Sequence, residues 1–212
     1  TASAVSGLTG ILNAFSAQNV TATQAADAMF VAAADGATTI EELASSLGMV
    51  APIAANVGLS LDEMTAAVAV LTTQGIKTSV AAEYLRSALT NVIKPSDQAR
   101  GVAKELGIAF NAEALAAKGL ATFLRDVAIN SGATKDQLGR LFGDVGGLTA
   151  VMALATGNAE KLSTSLDHMR DKAGATERAF GIMSESLSQQ VTRREALTDA
   201  ASVALGEADA GI

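Results

Sequence analysis

Apolar residues in this chain recur at steps of three and four, and the runs are cut short by glycine. Ile40, Leu43, Leu47, Val50, Ala54 and Val57 follow that spacing, and Leu61, Met64, Val68 and Leu71 repeat it. Such spacing gathers side chains on one face of a helix. No comparable stretch of the 212 residues alternates with period two, so the sequence is read as all-α. Alanine makes up about a fifth of the chain, well above ordinary usage, and aromatic residues only 3%. Alanine favours helix and loses no side-chain entropy on folding, but it buries little area. Helices built this way gain from packing only if their axes lie close together.

The helix ends are marked. Thr39 with Glu42, Ser60 with Glu63, and Thr134 with Gln137 have capping-box spacing, in which two side chains satisfy orphan backbone N–H groups reciprocally. Gly58-Leu59, Gly75-Ile76 and Gly107-Ile108 read as stops, with glycine in the left-handed position after the helix and an apolar residue folding back on the last turn. In the second pair, Ile76 is expected to reach Leu71. Pro52 falls within a helix expected over 39–57 and should kink it near residues 48 to 52. Lys94-Pro95-Ser96 is a break, with Ser96 capping the next helix. The expected helices are 2–17, 22–35, 39–57, 60–74, 78–93, 96–106, 111–131, 134–142, 147–156, 158–173 and 176–209. This is a multi-helix assembly of short capped helices over 1–174, with one long C-terminal helix in 175–212. Phe180, Met183, Leu187, Val191 and Leu205 form a weak stripe on that last helix, which points to self-association through it.

Charge and composition exclude several classes. A net charge of −7 repels phosphate backbones, so no specific nucleic-acid partner is expected. The absence of cysteine rules out disulfides and thiolate metal sites. No signal peptide is visible, and with no initiator methionine the chain is expected to be part of something longer. The longest apolar runs, Ala28 to Ala34 and Ala66 to Leu71, are too short to span a bilayer.

Candidate chemistry reads as structure. His168 is the only histidine, and with Asp167 and Asp171 it reads as a solvated helix face and not as a metal site. No Gly-x-Ser-x-Gly elbow accompanies it. Gly75-Ile76-Lys77-Thr78 lacks the contiguous Gly-Lys-Thr of a phosphate loop and no strand precedes it, so Thr78 or Ser79 is read as the next cap. Gly143-Asp144-Val145-Gly146-Gly147 is read as a flexible connector and not an anion cradle. Asp62-Glu63 fits a helix N-terminus, where acids are favoured. No catalytic residue, metal or cofactor is expected.

Gly58-Leu59-Ser60-Leu61-Asp62-Glu63, continuing through Val70-Leu71 to Gly75-Ile76-Lys77, resembles the core of phage tail tape-measure proteins. Leu85-Arg86-Ser87-Ala88-Leu89, Lys94-Pro95-Ser96, Leu106-Gly107-Ile108 and Leu141-Phe142-Gly143 continue the resemblance in order, over roughly residues 20 to 170. Ala82-Glu83-Tyr84 departs from it, since the family has a small residue and glycine before its Leu-Arg, and packing there should differ. The resemblance implies a non-enzymatic structural component of the phage virion. It would assemble in the host cytoplasm, set tail length inside the tube, aid genome delivery, and contact tail tube and tail tip proteins and further copies of itself. The alternative is a helical adaptor that binds a partner through residues 176–209.

Overall fold

One helix of this protein is apolar on nearly every side. Residues Leu61–Thr72 form a helix in which every residue except Asp62 and Glu63 is buried. A helix with no polar face must be surrounded, and in the computed structural model, which describes residues 2–132 and 134–185, it is. The elements in order are α1 (Ala2–Ala14), a 3-10 turn (Ser16–Gln18), α2 (Ala22–Asp35), α3 (Ile40–Leu47), α4 (Ala51–Asn56), α5 (Leu61–Thr72), α6 (Thr78–Ile93), α7 (Asp97–Glu105), α8 (Ala112–Lys118), α9 (Leu120–Asn130), α10 (Lys135–Phe142), α11 (Val145–Val151), a π turn (Met152–Gly157) and α12 (Ala159–Arg170). No strand occurs among the described residues. The protein is all-α.

Helices α2, α4, α6 and α12 enclose α5, and the π turn also touches it. Helix α6 is a second axis, carrying α3 on one side and α10 and α11 on another. Small residues permit this crowding. Ala66, Ala67 and Ala69 of α5, and Ala81, Ala82 and Ala88 of α6, are all buried. Three of the seven aromatic residues gather in one place, where Phe110 meets Phe142 edge-on at 5.1 Å between ring centroids and lies 6.0 Å from Phe123. Edge-on pairs align the ring quadrupoles favourably.

The chain divides into two units, one ending at Ala173 and the other starting at Gly174. In the second, helix α13 starts at residue 175 and is described to residue 185. The single long helix expected over 176–209 is therefore not borne out as such, and its part beyond residue 185 lies outside the described residues.

Other boundaries differ from the sequence reading for identifiable reasons. The expected helix over 39–57 is two helices. Pro52 does not kink one helix; it stands in the first turn of α4, where its missing N–H costs nothing. The expected helix over 111–131 is also two. Gly119, at φ +74°, ends α8 and begins α9, a conformation that L side chains resist. The expected helix over 147–156 starts earlier, at Val145, and continues as the π turn.

Gly58, Gly75 and Gly107 all have positive φ. After α4, Leu59 N–H donates to Ala54 O at 3.0 Å, and after α7, Ile108 N–H donates to Ala103 O at 2.8 Å; both bonds close a Schellman motif. Ile76 is half-buried against the core. Ser96 Oγ accepts from Ala99 N–H at 3.1 Å as α7 leaves the Pro95 break. Thr78 does not cap α6: the cap position is Lys77, without a side-chain bond.

Glycine also sets a helix separation. A Cβ at Gly7 would lie 1.8 Å from the Ala44 carbonyl oxygen, so α1 rests directly on the backbone of α3. At Gly10, one turn on, a Cβ would meet nothing within 4 Å. Gly7→Ala should therefore lower stability by about 1–3 kcal/mol through overpacking, while Gly10→Ala should raise it by up to about 1 kcal/mol. Gly75→Ala, where a Cβ also meets nothing but φ is +78°, should cost about 1 kcal/mol through backbone strain alone. Urea midpoints of the three variants check all three signs, and equal effects at positions 7 and 10 would contradict the close approach.

Candidate functional site

The stretch Gly58–Glu63 is the point where the most separate parts of the fold are tied together. Ser60 caps α5 by accepting from Glu63 N–H at 3.1 Å, and Glu63 Oε2 accepts in return from Ser60 N–H at 3.0 Å. The other carboxylate oxygen, Oε1, accepts from Leu120 N–H at 2.7 Å, at the start of α9. One side chain thus serves the N-termini of two helices, where the dipoles favour a negative charge. Gly119 leaves room for it, since a Cβ there would stand 2.7 Å from Glu63 Oε1. Asp62 Oδ2 pairs with Lys172 Nζ at 2.6 Å. Gln18 Nε2 donates to Leu59 O at 2.8 Å, and Leu59 and Leu61 are buried between these polar contacts.

A second junction forms on Asp144. Leu141 and Phe142 are buried, Gly143 ends α10 at φ +64°, and Asp144 caps α11 by accepting from Gly147 N–H at 2.8 Å. Its oxygens also accept from Ser87 Oγ at 2.7 Å and Asn91 Nδ2, both on α6. The segment 143–147 is thus a helix cap and first turn, not a flexible connector. A carboxylate of the protein itself occupies the cradle. Gly147 eases the approach of α11 to α6, since a Cβ there would come 3.1 Å from Asn91 Nδ2 and 3.4 Å from Ala88 Cα. Tyr84 covers Gly146, where a Cβ would approach its ring to 2.9 Å; the departure at Ala82-Glu83-Tyr84 is filled by this contact. Two residues on, Arg86 pairs with Glu83 and by that hydrogen bond holds the Glu83 carboxyl below its ordinary range.

Two other side chains have roles that the sequence reading missed. Glu42 does not complete a capping box with Thr39. Thr39 Oγ1 accepts from Glu42 N–H at 3.2 Å, but the Glu42 carboxylate turns to the hydroxyls of Thr38 and Thr78 at 3.3 and 3.0 Å, linking α3 to the start of α6. His168 is not merely a solvated residue: its Nδ1 lies 2.7 Å from Asp35 Oδ1, and Ser165 Oγ donates to Asp35 Oδ2 at 2.8 Å. The serine faces the carboxylate and not the imidazole, so the trio has the wrong order for nucleophilic chemistry. Thr134 Oγ1 accepts from Gln137 N–H at 3.3 Å, whereas Gln137 Oε1 is buried without a partner. Among the described residues, no three His, Asp or Glu side chains converge as a metal site, and no helix is long and apolar enough to cross a membrane. Of the stripe on the last helix, Phe180 and Met183 are exposed on α13, while Leu187, Val191 and Leu205 lie outside the described residues.

Asp144 yields a pH test. Burial opposes its charge, but the bonds from Gly147 N–H, Ser87, Asn91 and Gly146 N–H prevail and lower its pKa below the ordinary 3.8. A carboxylate with a depressed folded-state pKa stabilises above its unfolded pKa, and the effect is lost as pH falls through the folded value. Asp144→Ala should therefore cost about 1 kcal/mol at pH 7, the usual worth of an N-cap. In thermal melts the gap from wild type should persist down to about pH 4 and close only below the ordinary carboxylate pKa; a gap constant into stronger acid would refute the charged cap.

Residues 1–147 match the model of a family described as phage-related minor tail protein. The chain is also 28% identical over 187 residues to the tape measure protein of Pneumococcus phage Dp-1, a match covering 85% of this chain and 16% of that protein. It therefore spans a small part of that relative's length. No solved structure matches it significantly. The family match takes in both junctions described above, the one at Gly58–Glu63 and the one at Asp144, and it extends over more than half of the chain: the protein belongs to the phage-related minor tail protein family.

Proposed function

We propose that this chain is part of a tape measure protein, a structural component that sets tail length during assembly inside the tail tube and aids genome delivery. The observation that carries the reading is the likeness to the Dp-1 tape measure protein over 85% of the chain, in a chain whose family is one of phage tail proteins. Its partners on this reading are tail tube and tail tip proteins and other copies of itself, the last through Phe180, Met183, Leu187, Val191 and Leu205. Its place is the virion tail, assembled in the host cytoplasm, and its role is structural and not catalytic.

On this reading the two units have different parts. From α1 to α12 the chain is broken into short helices, with glycines of positive φ at Gly58, Gly75, Gly107, Gly119 and Gly143. Contour length there does not become axial length, so residues 1–173 act as a folded module carried on the ruler. Residues 176–209 contribute length to the ruler, by about 1.5 Å for each residue that is helical in the tail.

Deletion in the phage tests this division. Removing Thr176 to Leu205 should shorten the tail by about 45 Å at that rise, or by the nearest whole tube ring. Removing as many residues from Thr39 to Ile93 takes out parts of α5 or α6 and should give misassembly or loss of viability. Electron micrographs in which both deletions shorten tails equally would refute the division, and unchanged length after the first would remove 176–209 from the ruler.

A further inference from the structure

The helix that closes the first unit is held on α5 by a thin apolar line and by polar side chains. Of its twelve residues α12 buries only Leu162, Ser165 and Met169, a single narrow line. Leu166 packs partly buried beside them, and the rest of its attachment is polar. Asp35, at the end of α2, takes His168 on one oxygen and Ser165 on the other. Asp62, at the start of α5, takes Lys172 just beyond the helix. Thr65 Oγ1 approaches Met169 Sδ at 3.8 Å. Each fastening pair has one partner open to solvent: His168 and Asp62 are 55% and 31% exposed, against 17% for both Asp35 and Lys172. Pairs of that kind are screened by salt and hold weakly.

The connection on its other side is equally distinct. Between α11 and α12 the chain runs through six residues of π-helix, Met152–Gly157. Such turns are rare and are found mostly where a helix must bend or act. Helix α12 then starts at Asn158 with no side-chain cap. The Asn158 amide donates instead to Ala153 O at 3.0 Å, back into the π turn. The first turn of α12 is thus left without the cap that Ser60 gives α5 or Asp144 gives α11. The family match ends at residue 147, ahead of this joint.

We propose that α12 is a releasable strap: it swings about the π turn and uncovers the α2–α5 face while α1 to α11 stay folded. The inference stands on this geometry and not on the proposed function. It gives the joint a mechanical meaning, because any pull on the chain beyond residue 173 reaches the folded module through α12 first. The strap then yields at the weakly fastened helix and spares α5.

Hydrogen exchange on the full chain, read out by mass spectrometry, tests it. Amides of residues 163–170, past the uncapped first turn, should exchange at least 10-fold faster than those of residues 65–72 in α5. In a variant carrying Asp35→Asn and Asp62→Asn, exchange over 163–170 should accelerate at least 3-fold further, with residues 65–72 unchanged. Equal rates in the wild-type α12 and α5 would overturn the proposal without recourse to any variant. So would a variant that accelerates both segments together, or one that accelerates neither.

Discussion

The burial of α5 on all sides is the constraint on which the other helices depend. The orphan N–H groups at the start of such a helix are best served by protein groups where neighbours crowd it. Ser60 and Glu63 do this at the N-terminus, and the second oxygen of Glu63 extends the service to α9. Its sides must be covered by helices that come near enough for alanine to make contact, because dispersion falls away within an ångström of the optimum. That is why glycine stands at close crossings: Gly7 on the backbone of Ala44, Gly147 against Ala88. Larger side chains fill the spaces between the axes, as Phe123 and Phe142 do beside Leu85 and Leu89 of α6. The polar residues at the edges of α5 then decide which neighbour lies where.

Local features of this fold are legible in the sequence, and long-range ones are not. The 3-4 spacing locates α2 and α6 at their observed bounds, and Gly58, Gly75 and Gly107 mark turns because few residues other than glycine take positive φ. Gly119 carries the same signal but is masked, since apolar spacing continues on both sides of it. Pro52 interrupts a continuous stripe from Ile40 to Val57, yet proline is equally at home in a first turn, and spacing alone does not separate the two. The π turn has no local signature. Asp35 with His168, 133 positions apart, and Glu63 with Leu120 are products of tertiary packing. Asp35 has the sequence context of an ordinary surface acid, and the capping-box spacing of Glu63 does not announce its second bond to Leu120.

The residues that carry the family resemblance have physical reasons to be what they are. In Gly58-Leu59-Ser60-Leu61-Asp62-Glu63 the glycine takes positive φ against Ala116, both leucines are buried, the serine caps, and the two acids reach Lys172 and Leu120. Leu141-Phe142-Gly143 supplies two core residues and a helix stop. These positions are occupied by architecture, which is why they spell out no reaction chemistry. The functional assignment accordingly rests on kinship, and the structure contributes the two units that meet at Gly174.

Tyr84 lies half-buried across Gly146, in a chain with one tyrosine and no tryptophan. The protein therefore carries a single intrinsic fluorophore of consequence, and nature has placed it at the contact between α6 and α11. Emission from this molecule reports on that one contact and is blind to the rest of the fold. A dye or an introduced tryptophan is needed to see α12 or α13 move, and the unaltered ring supplies an internal reference that stays constant for as long as α6 and α11 remain together.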